Sequence, residues 1–342
     1  MLVFAATYRP LAFSQSAIGV SFWSSFCLSH ALEHLATSFS VCGMFSAKAH
    51  LLREEVQNIP VEDHQPGINV PACWPERGDV LFENVTARYN AMQTSTPALR
   101  EVSLAVGAGE KLAIAGRTGS GKSSLLLALL RFLHYEGTIK IDGIDISTIN
   151  HDTLRSRVIT LTYDPLQLPD TIRKNLVPFD FQYSANGEAC VDDDSLCRVL
   201  SDLGIWNPIS RQGGLDAVLS ATKLSRSELQ LFGIARAIIQ RMGRGGRLIL
   251  MDEATSALDA ATDNRVQAAL TAAFPGCTFL IITHRQRTIR DAEKFLELQE
   301  GAVASFRDMR QIQDEDAHDT RVSYNQLAES AGGGPLNCNL PE

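Results

Sequence analysis

Charge is absent from Leu11 to Ser29, LAFSQSAIGVSFWSSFCLS, a run of 19 residues and so about the length that crosses a bilayer. Six serines and Gln15 dilute it. On these residues alone two readings stay open: a buried or interfacial helix, or a span packed inside a helix bundle, where small and polar side chains suit close contact. A cleavable signal peptide fits badly, because Met1 to Tyr8 has no strong basic region and no small-residue cleavage site follows the apolar run. From His30 to Glu55 the helical spacing continues and charge appears at KAHLLREE, as on a helix leaving a membrane or a core.

Periodicity stops at Asn58. The stretch to Gly78, NIPVEDHQPGINVPACWPERG, is rich in proline, glycine and acid and reads as a linker. From Asp79 the pattern shortens to strands: VLFENVTARY, ALREVSLAV, then KLAIAG running into a glycine-rich turn and the helix SSLLLALLRFL. Strand, glycine loop and helix open an α/β unit. A helix-rich stretch is expected from Asp193 to Met242, and RLILMDEA and CTFLIITH supply two apolar strands of the kind buried on both faces. Asp192 to Asp194 reads as a solvated insert. The last residues have little to bury and read as a loose tail, and no internal repeat is visible. The expected division is therefore 1–57 apolar region, 58–78 linker, 79–310 α/β domain and 311–342 tail.

With 45% hydrophobic and 20% charged residues the chain has ordinary globular composition, which excludes disorder throughout. A formal charge of -8 and a pI near 5.5 argue against a sequence-independent grip on nucleic acid, which needs clustered Lys and Arg. The seven cysteines are scattered without a CxxC pair, so neither a disulfide framework nor a zinc site is suggested and a reducing compartment is the simple reading. HALEH, His30 to His34, matches the inverted zinc-peptidase pattern, but so short a match at the edge of the apolar run is set aside. The sequon Asn84-Val85-Thr86 lies in an expected strand and is set aside too.

GRTGSGKSS changes the picture. Gly116, Arg117, Thr118, Gly119, Ser120, Gly121, Lys122, Ser123 and Ser124 fit GxxxxGK[ST] and lie between an apolar strand and an apolar helix, as a phosphate loop must. Glycines let the main chain approach phosphate, successive N–H groups converge on its oxygens, and the helix dipole favours the anion. Lys122 would neutralise the β and γ phosphates, and Ser123 would ligate magnesium. In LILMDEATSALD, Asp252 and Glu253 end a buried strand, where adjacent carboxylates need water, a metal or a partner charge. The bland reading is a capping pair. Beside a phosphate loop, Asp252 would instead hold magnesium through water and Glu253 would orient and deprotonate the attacking water. His284, ending LIITH, is either a structural histidine or a contact to the γ phosphate.

LSRSE, Leu224 to Glu228, also admits two readings. Ser225 with Glu228 three residues on is a capping box opening an apolar-periodic helix. It is equally a worn phosphate grip.

Taken together, the phosphate loop, MDEATSALD and the His after an apolar strand, with a helical insert between the first two, resemble the nucleotide-binding domain of an ABC transporter. EGTIKIDGIDIS, LRSRVITL, TIRKNLVPF and GGLD resemble the second such domain of the multidrug-resistance-like C subfamily, over about residues 10 to 305. The resemblance implies an α/β P-loop NTPase fold with a helical subdomain, preceded by a membrane-type helix, the last of a transmembrane region, and a connector at PACWPERG. It implies ATP and Mg2+ as ligands, with Tyr89 stacking on adenine and Asp259 in the loop that meets an opposite domain. Read without it, Tyr89 is a strand-end aromatic of a core. The implied partners are a second nucleotide-binding domain and transmembrane domains, in the same longer chain or a separate subunit, with an unknown small-molecule substrate. The implied place is a membrane, with the domain facing the cytoplasm.

Two positions depart from the family pattern. LSRSE stands where the family has LSGGQ or LSVGQ: Ser225 survives, Arg226 and Ser227 replace a small pair, and Glu228 puts negative charge where an anion should bind. In the C subfamily the second domain lends an imperfect signature to a degenerate site, so this loss need not silence Glu253. TYDP stands where the family has PQDP, so Tyr163 replaces a glutamine expected to touch magnesium and the attacking water. A phenol is a longer, stiffer and poorer ligand, which predicts slow hydrolysis or altered coupling. The leading expectation is an ATP-hydrolysing export component, from a truncated chain or one that assembles with missing parts. Competing with it are a soluble ABC-type ATPase and a non-hydrolysing regulatory subunit.

Overall fold

The structure, a computed structural model, describes residues 15–58, 67–71, 73–89, 96–178, 191–256 and 258–310. The chain divides into two units, Met1–Asp63 and His64–Glu342. The expected tail, 311–342, lies outside the described residues, as do 59–66 and 72 of the expected linker.

The first unit carries α1 (Gln15–Asn58), one helix of 44 residues. Its hydroxyls turn back on the main chain: Ser24, Ser25 and Ser40 donate to the carbonyl four residues earlier, and Thr37 to those of Glu33 and His34. Helix was expected and forms. Its membrane-type character is corrected: among the described residues no helix is long and apolar enough to cross a membrane. The physical reason is the dilution by serine, together with His30, Glu33 and His34 just after the charge-free run. Leu11 to Ser14, the start of the charge-free run, lie outside the described residues.

In the second unit two sheets are built from strands with opposite patterning. β1 (Val80–Arg88), β2 (Leu99–Val106), β4 (His134–Ile141) and β5 (Ile144–Asp145) form an antiparallel sheet in the order β2-β1-β4-β5. In β2 the apolar residues Leu99, Val102, Leu104 and Val106 face inward, the alternation of a sheet with one wet side. The other sheet has six strands: β3 (Lys111–Ala115), β6 (Ile159–Thr162), β7 (Leu248–Asp252), β8 (Thr278–Ile282), β9 (Lys294–Gln299) and β10 (Ala302–Asp308). Their order is β10-β9-β3-β8-β7-β6, parallel except for β10. Continuous apolar runs such as LILM in β7 are buried on both faces, as parallel strands under helices must be.

One face of this sheet holds α2 (Lys122–Leu129), whose Leu125 and Leu129 join Phe82, Ile114 and Ile141 in a core shared with the antiparallel sheet. The other face packs against α7 (Arg226–Arg244) and α8 (Ala260–Ala273) in a second core, which extends into the helical insert. That insert is α4 (Ile172–Leu176), α5 (Asp193–Asp202) and α6 (Trp206–Ser210). Two further short α-helices among the described residues are α3 (His151–Arg157) and α9 (Gln286–Arg290). The register aligns Ile114 with Ile282, Ile282 with Asp252, and Asp252 with Thr162. The C-terminal ends of β3, β8, β7 and β6 therefore meet along one sheet edge, where open α/β sheets bind ligands.

Several expectations are corrected. The helix after the glycine loop ends at Leu129, not Leu133: Arg131 turns left-handed at φ 56° and donates to the carbonyls of Ile146 and Ile149. Asp192 to Asp194 are exposed, as a solvated stretch should be, but ordered: Asp192 caps α5 by accepting from the Ser195 N–H and Asp193 pairs with Arg173. The stretch read as linker ends packed on the sheet: Trp74 is buried and donates its indole N–H to Ile141 O over 3.3 Å. Asp142 accepts from four successive amides, those of Glu76, Arg77, Gly78 and Asp79.

Candidate nucleotide-binding site

β3 delivers the chain into the glycine loop at the shared sheet edge. Gly116 has φ 146°, and a Cβ there would come within 2.4 Å of Leu298 O, so no other residue fits. Gly121, at φ 102°, precedes α2 and gives its N-terminus no side-chain cap. The first N–H groups of α2 are thus left open to an anion. Ser120 Oγ is buried with no hydrogen-bond partner, a further donor awaiting an acceptor. Lys122 Nζ spans the loop, donating to Gly116 O over 2.8 Å and to Arg117 O over 3.0 Å. Burial pulls its ammonium below the ordinary lysine value, opposed by the negative charges of Glu253 and Asp252. These observations fit a phosphate cradle made chiefly of main chain.

The carboxylates come from the neighbouring strand. Ser123 Oγ donates to Asp252 Oδ2 over 3.0 Å, so the hydroxyl and carboxylate expected to share magnesium already touch. Glu253 follows in the left-handed region at φ 49°, uncommon for a residue with a side chain, and its N–H donates to Ile282 O. That turn aims Glu253 Oε1 at His284 Nε2, 3.1 Å away. Tyr89, just beyond β1, is 62% exposed, which corrects the reading of it as a core aromatic; its hydroxyl lies 3.1 Å from Ser124 Oγ. A ring so placed is free to receive a flat partner.

Two expected residues are not drawn into this cluster. Asp259 caps α8, accepting from the N–H groups of Ala261 and Thr262 and from the Thr262 hydroxyl; the Thr262 amide and hydroxyl hold its carboxyl below the ordinary value. Ser225 caps α7 in a closed capping box: Glu228 Oε2 accepts from both the N–H and the hydroxyl of Ser225 at 2.7 Å. The capping-box reading of LSRSE is thus what the geometry shows, and the helix start carries its own carboxylate.

Sequence reasoning missed Arg285. Its guanidinium donates to the carbonyls of Thr255, Ser256 and Leu258 and pairs with Asp263 at 2.8 Å, stitching the segment between Glu253 and Asp259 to the strand end that bears His284. Its position beside His284 was the only signal. A cavity of about 430 Å³ lies beneath this segment, lined by Glu253, His284, Leu270 and Phe279 but by no phosphate-loop residue.

A glycine loop between β3 and α2, met by acids from β7 and a histidine from β8, defines an ABC-type P-loop nucleotide-binding domain. Residues 99–256 match the family described as ABC transporter. Over 253 residues the chain is 37% identical to ABC multidrug transporter B of Aspergillus fumigatus, covering 74% of this chain and 16% of that protein. Over 243 residues it is 39% identical to ATP-binding cassette sub-family C member 3 of Homo sapiens, covering 70% and 15%. Among solved structures, a bacterial Atm1-family ABC exporter with ATP bound is similar at a TM-score of 0.65 and 28% identity, over 83% of this chain and 47% of that one. The matched region is an ABC transporter domain with relatives in the C subfamily, and the chain spans less than a fifth of the length of those two curated relatives.

Proposed function

We propose that this chain is the ATP-binding and ATP-hydrolysing half of a membrane exporter, its domain at 79–310 corresponding to the second nucleotide-binding domain of a C-subfamily transporter. Lys122 and the amides of residues 116–124 hold the phosphates, and Tyr89 stacks on adenine. Ser123 and Asp252 would hold Mg2+, which would supply positive charge against the triphosphate. Glu253, oriented by His284, takes the proton of a water that attacks the γ phosphorus as the bond to the ADP oxygen breaks. Asp259 lies on the face toward the partner nucleotide-binding domain, and transmembrane domains carry an unknown small molecule. The domain faces the cytoplasm. A single observation carries the reading: Ser123 with Asp252, and Glu253 with His284, form two contacting pairs at one sheet edge.

The test is ATP turnover by the chain combined with a complementary ABC domain. Glu253→Gln is expected to lower turnover at least about 100-fold while nucleotide still binds. Unchanged turnover overturns the hydrolytic role and favours a second reading, a non-hydrolysing regulatory subunit, which the closed Ser225 to Glu228 box motivates.

A further inference from the structure

Two of the residues that depart from the family pattern, Tyr163 and Arg226, touch each other: the Arg226 guanidinium carbon lies 4.4 Å from the centre of the Tyr163 ring. We infer that Arg226 is a positioning residue that stacks on Tyr163 and thereby couples the nucleotide site to the first turn of α7. The inference rests on the reading of the sheet edge as that site.

Strand register supplies one end of the coupling. Thr162 pairs beside Asp252, so Tyr163 is the first residue beyond the sheet on the strand neighbouring the acids. The other end is a stripe on α7. Arg226 holds the Tyr163 ring, and one turn on the buried Gln230 donates to Tyr163 O over 3.3 Å. Gly233 follows on the same face, where an added Cβ would come within 3.0 Å of Pro165. Arg236 completes the stripe by donating to Leu166 O and Asn175 O, each over 2.7 Å.

The clamped segment is itself stiff. Fully buried Asn175 accepts from the Leu168 N–H and donates to the carbonyls of Leu168, Asp170 and Thr171. A displacement of residue 163 at the sheet edge is therefore passed to α7 instead of being absorbed by the loop. Along the stripe the contacts at Gln230, Gly233 and Arg236 set packing, whereas the Arg226 stack lies half in solvent, with Tyr163 36% exposed. It can open and re-form without disturbing the core. The Ser225 to Glu228 box ties the Ser225 and Glu228 amides, and the Arg226 side chain beside it is exposed.

Hydrogen exchange of the amides of residues 227–231 in the full chain, with and without a magnesium-bound fluorescent ATP analogue, tests the coupling; the same analogue gives the affinity. In the wild-type protein the ligand is expected to change exchange in this turn by about two- to fivefold, the range a half-exposed cation–π contact supports. Arg226→Ala is expected to abolish that change with affinity kept within about twofold. Arg226→Lys and Tyr163→Phe retain cation and ring and are expected to preserve it. The inference is overturned if Arg226→Ala keeps the full ligand-induced change, or if the wild-type protein binds the analogue and shows none. Absence of saturable binding overturns it together with the nucleotide-site reading, and the affinity measurement tells these failures apart.

Discussion

Ser123 and Asp252 are 129 positions apart in the chain, yet their side chains meet at 3.0 Å. The contact exists because α2 starts where β3 ends and β7 lies two strands away in the same parallel sheet. If the pair holds magnesium, Ser123→Ala and Asp252→Asn should each weaken affinity for magnesium-bound ATP about tenfold, roughly 1.4 kcal/mol. Affinity measured with the metal chelated should change far less. Equal losses in both conditions would assign the pair to packing.

The Glu253 to His284 contact predicts a different split. His284→Ala should lower turnover by about 100-fold through misorientation of the carboxylate, leaving nucleotide affinity nearly unchanged. A matched loss in affinity would show that the histidine acts on binding.

Much of this site was legible in the sequence because its parts are local. A phosphate loop is nine consecutive residues, and Asp252 and Glu253 adjoin at a strand end whose apolar run marks it as buried. What sequence could not supply is the pairing across the sheet, since β6, β9 and β10 are short or irregular in pattern and were not read as strands. Arg285 escaped for the same reason: its partners, the carbonyls of Thr255 to Leu258, become neighbours only through the β7 to β8 register. Tyr163 and Arg226 each depart from the family pattern in the sequence, but their contact closes across the whole helical insert, and no local pattern marks that these two residues meet. The charge-free run leaves the helix's character open because helix and length are readable, whereas the serines decide how apolar the helix is.

Acid stability should depend on Glu110. Burial works against its ionisation, but the Lys294 ammonium 2.8 Å away, the Gly107 N–H and Arg310 outweigh it and hold the carboxyl below its ordinary value of 4.5. A carboxyl depressed in the folded state contributes stability that is complete above its unfolded value and lost as pH falls through the folded one. Urea midpoints from pH 7 down to about pH 3 should therefore fall less steeply for Glu110→Gln than for the wild-type protein, from a lower starting value. Parallel curves would refute the assignment.

Removing the Asp142 carboxylate strips the acceptor from four amides at once. Asp142→Ala should destabilise the domain by about 2–4 kcal/mol, and Trp74→Ala by about 3–5 kcal/mol, read from denaturant unfolding. Protease cutting around residues 71–78 should rise in the Asp142 variant before the sheet itself is lost.

That same anchor has a mechanical meaning. A pull on the polypeptide upstream of β1 does not reach that strand first; it must tear several amides from one carboxylate and withdraw an indole from beneath the β4 to β5 hairpin. Tension is thus delivered to the turn at residue 142, at the rim of the small sheet, and the strand pairs behind it are shielded from being peeled apart one rung at a time.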